Sequence, residues 1–319
     1  MKRISILLFA KMFEMKMESG QFYHCYQRLR DRGVIFYSVT DYLLYYTIMC
    51  SRAVSYDVRI LKCVQMPDHL HHSVVENVAG HLSAFFQDVT STFTREYNNL
   101  YNRKGVMFDS PFGRAVKKTD KSIRTNLTYL NNNPVERQLA VRAEDYRWNY
   151  LAYAVSDHPF SLKIVLRKAS MPLRRALKIV EYQRSKGRYL TGRLLRNMFD
   201  SLLNDEEREQ LTDFIVSKYS VIDHDAVSNY FQTYENQLIT ASANTGSEYD
   251  IKENFIGRSD ACYAKMTRLL MESGKVKDIH EVYVMRTEEK WNAYNYLKAR
   301  MNVPANQVKA FLHLPLKQD

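Results

Sequence analysis

Residues 57–75 predict a β-hairpin, and this feature constrains the fold of the chain most strongly. Asp57 to Met66 alternates between apolar and polar side chains, as a strand does, and Leu70 to Val75 is rich in residues that favour strands. Pro67–Asp68 between them is typical of a turn. Two strands joined by so short a connection pair antiparallel, so the chain must contain an antiparallel sheet.

The segments around this hairpin predict the rest of the sheet. Together they give the order β-α-β-β-α-β-α, which is the plan of a ferredoxin-like antiparallel sheet with helices on one face, an α+β fold. The further predicted elements are a strand at Gln21 to Gln27, a helix at Thr40 to Ser51, an amphipathic helix at Val78 to Asn102, a strand at Val106 to Val116 interrupted by Ser110-Pro111, and a helix at Asp120 to Asn132 that Asn133-Pro134 stops.

From about Pro159 the pattern becomes helical, which predicts a mostly α-helical C-terminal domain. Ala293 to Leu312 could form two short helices around Asn302-Val303-Pro304, either as a loose helix-turn-helix or only as packing elements. The sequence thus divides into an N-terminal extension (1–17), an α+β domain (18–158) and a helical domain (159–319). The predicted helices are Pro172 to Ser185, Thr191 to Leu203, Asp205 to Lys218, His224 to Leu238, Asp260 to Glu272, a segment near Lys277 to Met285 and Glu288 to Arg300, with a loop at 241–247.

The composition limits the class of protein. Hydrophobic residues make up 45% of the 319 residues and aromatics 13%, so the chain can bury a core and is not disordered by composition. The net charge of +11 indicates an anionic partner, with nucleic acid the leading candidate. The four cysteines are scattered without a CxxC pair, which argues against a disulfide scaffold or a zinc site and fits a reducing cytosol.

The N-terminus resembles the start of a signal peptide, because Lys2-Arg3 precedes an apolar run. That run is short, Lys11 interrupts it, and no small-residue cleavage site follows. We therefore expect residues 1–17 to be an extension or a short helix, or to come from a start codon placed too early. The sequence contains no stretch long and apolar enough to span a bilayer, so no membrane partner is expected.

The predicted β-hairpin carries a histidine pair, His69 and His71, separated by Leu70. On a strand, residues two apart point to the same face, so both imidazoles would project together while Leu70 enters the opposite face. Such a pair is suited to a divalent metal ion. His72 leaves an alternative open, since His69 and His72 would share a face if the segment were helical, but the strand-forming flanks favour His69 and His71.

A second segment, near residue 130, places Tyr129 and Asn133 one helical turn apart on one face. Asn133 precedes a proline, so we expect it at the helix end with its amide oxygen free to turn toward a ligand. Imidazoles and an amide oxygen suit Mg²⁺ or Mn²⁺ when phosphate oxygens and water complete the shell. His69, His71 and Asn133 are thus candidate metal ligands, and Tyr129 is a candidate nucleophile toward phosphorus.

Basic residues precede and follow this helix. Such a stripe can follow a phosphate backbone, and interleaved aromatic residues can stack on unpaired bases. A solvated helix face is the alternative for about half of these residues. The candidate DNA-binding residues are Arg114, Lys117, Lys118, Lys121, Arg124 and Arg137.

The segments Met66-Pro67-Asp68-His69-Leu70-His71 and Tyr129-Leu130-Asn131-Asn132-Asn133-Pro134-Val135 resemble the two signatures of single-tyrosine HUH transposases, and more closely those of REP-associated tyrosine transposases. Tyr23 to Arg28 is similar to the first strand of that family, and Glu144 to Tyr150 to its acidic, Trp-containing segment. The resemblance covers roughly residues 20–155. The chain departs from the family at Glu136-Arg137-Gln138, which replaces a small or Gly-containing continuation. The helical domain (159–319) goes beyond the minimal family domain and resembles the helical extensions of some larger relatives, which implies a DNA-binding or assembly role for it.

The resemblance implies a ferredoxin-like domain that cuts and rejoins single-stranded DNA through a 5′-phosphotyrosine, with Mg²⁺ or Mn²⁺. It implies that His69, His71 and Asn133 bind the metal and that Tyr129 is the nucleophile. It also implies hairpin or repeat ends as DNA substrates, a cytoplasmic, nucleoid-associated protein of bacterial type, and either a homodimer or a monomer. Two further functions stay open: a domesticated DNA-binding protein without transposition, and a metal-dependent hydrolase without a covalent intermediate.

Overall fold

The computed structural model describes residues 20–108, 112–243 and 259–316. The predicted N-terminal extension, the Ser110-Pro111 interruption and most of the predicted loop at 241–247 lie outside these ranges. Among the residues described, no helix is long and apolar enough to cross a membrane.

A sheet of four antiparallel strands forms the first half, in the spatial order β2-β3-β1-β4. Strands and helices follow one another as β1-α1-β2-β3-α2-β4-α3, so the predicted α+β, ferredoxin-like plan is confirmed. The strands are β1 (Gln21–Arg28), β2 (Val58–Met66), β3 (His69–Glu76) and β4 (Gly113–Lys117), and the helices are α1 (Val39–Ser55), α2 (His81–Tyr101) and α3 (Asp120–Glu136).

Helices cover both faces of the sheet, not one face only as the sequence predicted, and side chains alternate between the two faces along each strand. On one face, Leu70 and Val74 of β3 belong to the main apolar core that α1 and α2 complete. On the other face, Ser73 donates a hydrogen bond to Asn126 Oδ1 of α3 at 2.5 Å. Helix α3 therefore lies across the face on which His69 and His71 project.

The second half is helical, as expected. Between the helices, three short 3₁₀ turns follow α3, and a fourth precedes α10. The helices are α4 (Met171–Ser185), α5 (Gly192–Phe199), α6 (Asp205–Tyr219), α7 (His224–Phe231), α8 (Tyr234–Ser242), α9 (Cys262–Glu272), α10 (Thr287–Lys298) and α11 (Ala305–Phe311), and the 3₁₀ turns are Ala143–Asp145, Arg147–Asn149, Ala152–Ala154 and Ile279–Tyr283.

Three predicted helices of the second half differ from the structure. The run from His224 to Leu238 is two helices, because Gln232 takes a left-handed conformation (φ 69°) and Thr233 starts α8 by accepting a hydrogen bond from Asn236 N. The run from Thr191 ends at Phe199 rather than at Leu203. The segment near residue 280 is a 3₁₀ turn rather than an α-helix.

The helical half packs on the sheet half in several places. Ala226, Val227 and Phe231 of α7 pack against an apolar patch of the sheet and α3. Apolar side chains of α4 to α6 join the same core as α1 and α2. The chain beyond residue 259 builds a separate apolar cluster, into which Val34 inserts from the connection between β1 and α1. Helices α10 and α11 belong to that cluster and flank residues 299–304, with Val308 and Phe311 of α11 fully buried. The predicted domain boundary at 158/159 stays a prediction.

Asp41 is a polar junction between these regions. It is 1% exposed, and its Oδ2 atom accepts hydrogen bonds from Tyr37 N at 2.9 Å and Ser38 N at 3.0 Å, at the start of α1. Its Oδ1 accepts from the hydroxyl of Tyr101 at 2.7 Å. His280 Nε2 lies 2.8 Å from Oδ2, so the second half contributes to the same carboxylate.

Candidate active site

Strand β3 places His69 and His71 on the face that α3 covers. The centroids of their rings are 4.9 Å apart. His72 points to the opposite face, where the hydroxyl of Tyr45 lies 3.1 Å from its Nε2 atom. The strand period therefore brings together the pair predicted from the sequence, and the helical alternative with His72 does not apply.

Helix α3 presents Tyr129 and Asn133 to the same place, one turn apart. The prediction that Asn133-Pro134 stops this helix is wrong, because α3 continues to Glu136. Pro134 removes one N–H from the helical ladder, yet Arg137 N still donates to Asn133 O at 3.1 Å, so the turn holds beyond the proline. Asn133 is thus held within the last helical turn, not in a free end.

The side chains of these two elements converge on the Asn133 amide. Asn133 Nδ2 donates to the hydroxyl of Tyr129 at 3.2 Å and lies 3.4 Å from His71 Nε2. The rings of His71 and Tyr129 have centroids 5.8 Å apart. One amide therefore connects the candidate nucleophile to one of the candidate metal ligands.

His24 of β1 is a site residue that the sequence reasoning missed. Its Nε2 atom lies 3.1 Å from His71 Nδ1, and its ring centroid is 6.0 Å from that of Tyr129. A hydrogen bond at Nδ1 fixes the ring orientation of His71 and leaves Nε2 directed at Asn133. The alternation of β1 could have suggested this face, but only the pairing of β1 with β3 brings His24 beside His71.

Asp68 is a second missed residue, next to the histidine pair. Its Oδ1 atom lies 2.5 Å from His69 Nδ1. Carboxylate–imidazole contacts of this kind orient a histidine and make its other nitrogen a better ligand. The position of Asp68 in the turn before β3 was visible in the sequence, but its role as a partner of His69 was not.

Burial determines the charge of the imidazoles. His71 is 1% exposed, and burial together with the neighbouring His69 and His24 holds its pKa well below the usual value of 6.5. Burial likewise lowers the pKa of His72 to about 3. Both rings are therefore neutral at pH 7, and neutral imidazole is the form that binds a metal ion.

Tyr129 and Asn133 of the candidate site are buried, and strand β1 lies beside the histidines of β3. Tyr129 is 2% exposed and Asn133 fully buried. Tyr26 and Arg28 stand opposite His71 and His69 in the pairing of β1 with β3, so they lie on the same face of the sheet. Tyr26 is 38% exposed, which makes it the accessible aromatic side chain beside the histidines.

The predicted basic stripe is only partly a surface. Lys118, Lys121 and Arg124 are exposed at the start of α3, and Arg114 is exposed on β4. Lys117 and Arg137 need correction, because their side chains are only 7% and 2% exposed.

Arg137 is buried because its partner comes from the helical half. Its Nη1 atom lies 3.7 Å from the fully buried Asp260 Oδ2, and its carbonyl accepts from Asp260 N at 2.9 Å. A buried arginine paired in this way is a structural contact and is not available to DNA.

The donor set is compatible with a hard divalent cation but is incomplete by itself. Within residues 20–108, 112–243 and 259–316, no group of three or more His, Cys, Asp or Glu side chains is arranged to hold a metal ion. Asn133 Oδ1 is buried and accepts no hydrogen bond from the described residues. A buried amide oxygen without a donor is suited to a cation, so two imidazoles and this oxygen fit Mg²⁺ or Mn²⁺ with substrate oxygens added.

Comparison with known proteins adds little to this geometry. No protein-family model and no curated protein matches the chain. A solved structure described as a REP-associated tyrosine transposase bound to a REP hairpin is similar over 43% of this chain and 79% of that chain, with 17% identity and a TM-score of 0.38. A likeness this weak carries no argument about function, and the chemistry of the centre has to be inferred from its own residues.

Proposed function

We propose that this chain is a metal-dependent enzyme that nicks and rejoins single-stranded DNA, as a transposase does, through a phosphotyrosine on Tyr129. The observation that carries the proposal is the shared contact of Asn133, whose amide donates to the hydroxyl of Tyr129 and lies 3.4 Å from His71. A phenol and a set of candidate metal ligands at one point are what phosphodiester attack requires.

The chemistry follows from the positions of these side chains. The phenolic oxygen of Tyr129 attacks phosphorus and loses its proton, a Tyr–O–P bond forms, and the bond to the 3′ oxygen of the preceding sugar breaks, leaving a free 3′-hydroxyl. The Asn133 N–H stabilises the negative charge on the phenolic oxygen. Attack of a 3′-hydroxyl on the phosphotyrosine reverses these steps and rejoins a strand.

The metal would be held by His69, His71 and Asn133. Bound Mg²⁺ or Mn²⁺ would neutralise charge on the non-bridging phosphate oxygens. His24 and Asp68 orient the two imidazoles through their Nδ1 atoms. The neutral state of His71 favours this role, since a protonated imidazole has no lone pair to offer.

The proposed substrate is single-stranded DNA at hairpin or repeat ends. Lys118, Lys121 and Arg124 are exposed at and just before the start of α3, the helix that carries Tyr129, and they supply positive charge on that side. Arg114 is opposite Cys25 in the pairing of β4 with β1, so it lies on the other face of the sheet. The burial of Tyr129 means that DNA must displace the side chains that cover it. Because Tyr129 lies beside His71 of its own chain, we propose that the tyrosine acts within one chain, whether the protein is a monomer or a homodimer.

The proposal is tested by covalent trapping on the purified full-length protein. With Mg²⁺ and a library of 3′-labelled hairpin oligonucleotides, the 3′ fragment should stay attached to the protein after denaturation. Tyr129→Phe should abolish this adduct and change DNA affinity by less than about threefold, because only the hydroxyl is removed. Matched controls are Tyr146→Phe and Tyr150→Phe, which remove buried hydroxyls that donate to Gln65.

Each other outcome contradicts the proposal in a different way. An adduct that persists in Tyr129→Phe identifies another nucleophile. Cleavage without an adduct that survives Tyr129→Phe indicates a hydrolase. Hairpin binding without cleavage in Mg²⁺ and in Mn²⁺ indicates a DNA-binding protein without transposition.

A further inference from the structure

A groove with a cavity of about 850 Å³ lies in the helical half, between α4, α6 and the connection that precedes α4. Its volume falls within the range of ligand-binding clefts. Neither the predicted metal ligands nor Tyr129 line it. The groove therefore needs an explanation of its own.

Five exposed cations surround this groove: Lys163, Arg167, Arg175, Lys178 and Lys218. None of the five forms an ion pair with the described part of the chain. In contrast, Arg174 in the same lining is occupied, because its guanidinium donates to the carbonyls of Ala169 at 2.9 Å and Arg167 at 3.1 Å. Asp157 and Glu181 are the acidic residues of the lining, so the groove has a clear positive excess.

The floor of the groove is apolar and partly accessible. Leu166 is 62% exposed and Met171 is 57% exposed, which is unusual for side chains of this size. Phe214 also lines the groove, and Lys218 Nζ is 5.4 Å from the centre of its ring. A ligand that carries negative charge and flat apolar faces could contact both the cations of the rim and the apolar side chains of the floor.

The wall formed by the connection is fixed in place. Asp213 is 1% exposed and accepts hydrogen bonds from Phe160 N at 2.9 Å, Ser161 Oγ at 2.9 Å and the Tyr153 hydroxyl at 2.6 Å. Leu162 N also donates to Glu206 at 2.7 Å. A wall held by so many polar contacts is preorganised, which lowers the entropic cost of binding.

We propose that this groove binds single-stranded DNA, with phosphates on the cationic rim and a base against Phe214. Each nucleotide joins a phosphate to a flat base, so a single strand matches an unpaired cationic rim over an apolar floor. A membrane surface fits less well, because the apolar side chains line a concavity rather than a protruding face. The choice of DNA over another polyanion rests on the proposed function.

The groove would hold a different part of the strand from the candidate active site. Helix α6 packs on α1, on one side of the sheet, whereas Tyr129 lies on the other side. A strand bound at both places is tethered, so its second attachment takes place at a raised effective concentration. The groove would thus retain DNA while the active site releases and captures ends.

The test compares two double variants in fluorescence anisotropy with an unstructured, fluorescein-labelled oligo(dT). Arg175→Ala/Lys178→Ala removes two rim cations three residues apart on α4. Lys265→Ala/Arg268→Ala removes two exposed cations of the same spacing on α9, outside the groove. We expect the first variant to bind at least about tenfold more weakly and to lower the salt slope by about 1.4, with the control near the wild type.

Equal losses of oligo(dT) affinity in both variants would overturn the proposal, because they would indicate an effect of net charge alone. Unchanged oligo(dT) affinity in the groove variant would also overturn it. If that variant lost binding to phosphatidylglycerol vesicles instead, the groove would bind a membrane surface. The proposed function is tested separately, since Tyr129→Phe should keep the oligo(dT) affinity and the groove variant should still form the adduct at saturating hairpin. If the wild type forms no adduct but its oligo(dT) binding still depends on the groove cations, the proposed enzymatic activity is rejected and the proposed DNA binding in the groove is kept.

Discussion

The Nε2 atom of His24 lies 3.1 Å from the Nδ1 atom of His71 on the neighbouring strand, and both rings are 1% exposed. This contact determines which nitrogen of His71 is available to Asn133. It also links β1 to a centre whose other parts come from β3 and α3.

We expect His24→Leu to weaken Mn²⁺ binding about 10- to 100-fold, as loss of a group that orients a metal-binding histidine typically does. It should also lower the free energy of unfolding by about 1–3 kcal/mol, because His71 Nδ1 is left buried without its partner. His24→Gln should recover part of the affinity by restoring a polar contact. Calorimetric titration with Mn²⁺ measures the first effect and urea unfolding the second; unchanged Mn²⁺ affinity in His24→Leu would contradict the assignment.

Asn133 can be tested by two substitutions that separate its roles. Asn133→Ala removes both the contact with Tyr129 and the amide oxygen, so adduct formation should fall by at least about tenfold and Mn²⁺ binding should weaken. Asn133→Asp keeps an oxygen ligand and adds charge, so it should retain Mn²⁺ binding while losing the N–H that stabilises the phenolic oxygen. Equal Mn²⁺ affinity in wild type and Asn133→Ala would remove Asn133 from the ligand set.

Gly113 is required by the aromatic ring that crosses it. A Cβ atom at this position would lie 2.1 to 2.5 Å from ring atoms of Tyr26. Gly113→Ala should therefore lower the free energy of unfolding by about 1–3 kcal/mol and displace Tyr26 from its place beside His71. In a Tyr26→Ala background the same substitution should cost little, and a double-mutant cycle by chemical denaturation measures the difference. Additive effects would show that the ring is not the obstacle.

His280 should make stability depend on pH. Burial opposes its charge, but the carboxylates of Asp41 and Asp278 outweigh burial and raise its pKa to about 9. A raised pKa contributes stability that is complete below about pH 6.5 and is lost as the pH rises through 9. The full contribution is about 3 kcal/mol.

The difference between wild type and His280→Gln isolates this contribution from other titrating groups. Thermal or urea unfolding between pH 6 and 9.5 should show the advantage of the wild type shrinking as the pH rises. A difference that stays constant over this range would mean that His280 is not charged in the folded protein.

The spacing of residues along the chain was enough to predict most of the strands and the positions of His69, His71, Tyr129 and Asn133 in the candidate site. The period of two in residues 57–75 placed His69 and His71 on one face and His72 on the other, as the structure has them. The one-turn spacing of Tyr129 and Asn133 likewise needed only helix geometry. These positions are determined by near neighbours in the chain.

What the sequence did not show depends on distant partners. His24 joins the site through the register of β1 against β3, which no local pattern contains. Arg137 was a candidate DNA-binding residue, yet it is buried beside Asp260 from the other half of the chain. The helix passes Pro134 because contacts beyond the proline compensate for the missing N–H, so the usual rule for a helix end failed.

Asp41 has a consequence for how the protein unfolds. The same carboxylate accepts hydrogen bonds at the start of α1 and from Tyr101 of α2, and it contacts His280. A chain cut before residue 259 would leave this buried anion without its imidazole and Val34 without its apolar neighbours. The first half and the helical second half should therefore lose structure in one cooperative transition, and the first half alone should be less stable than it is in the whole protein.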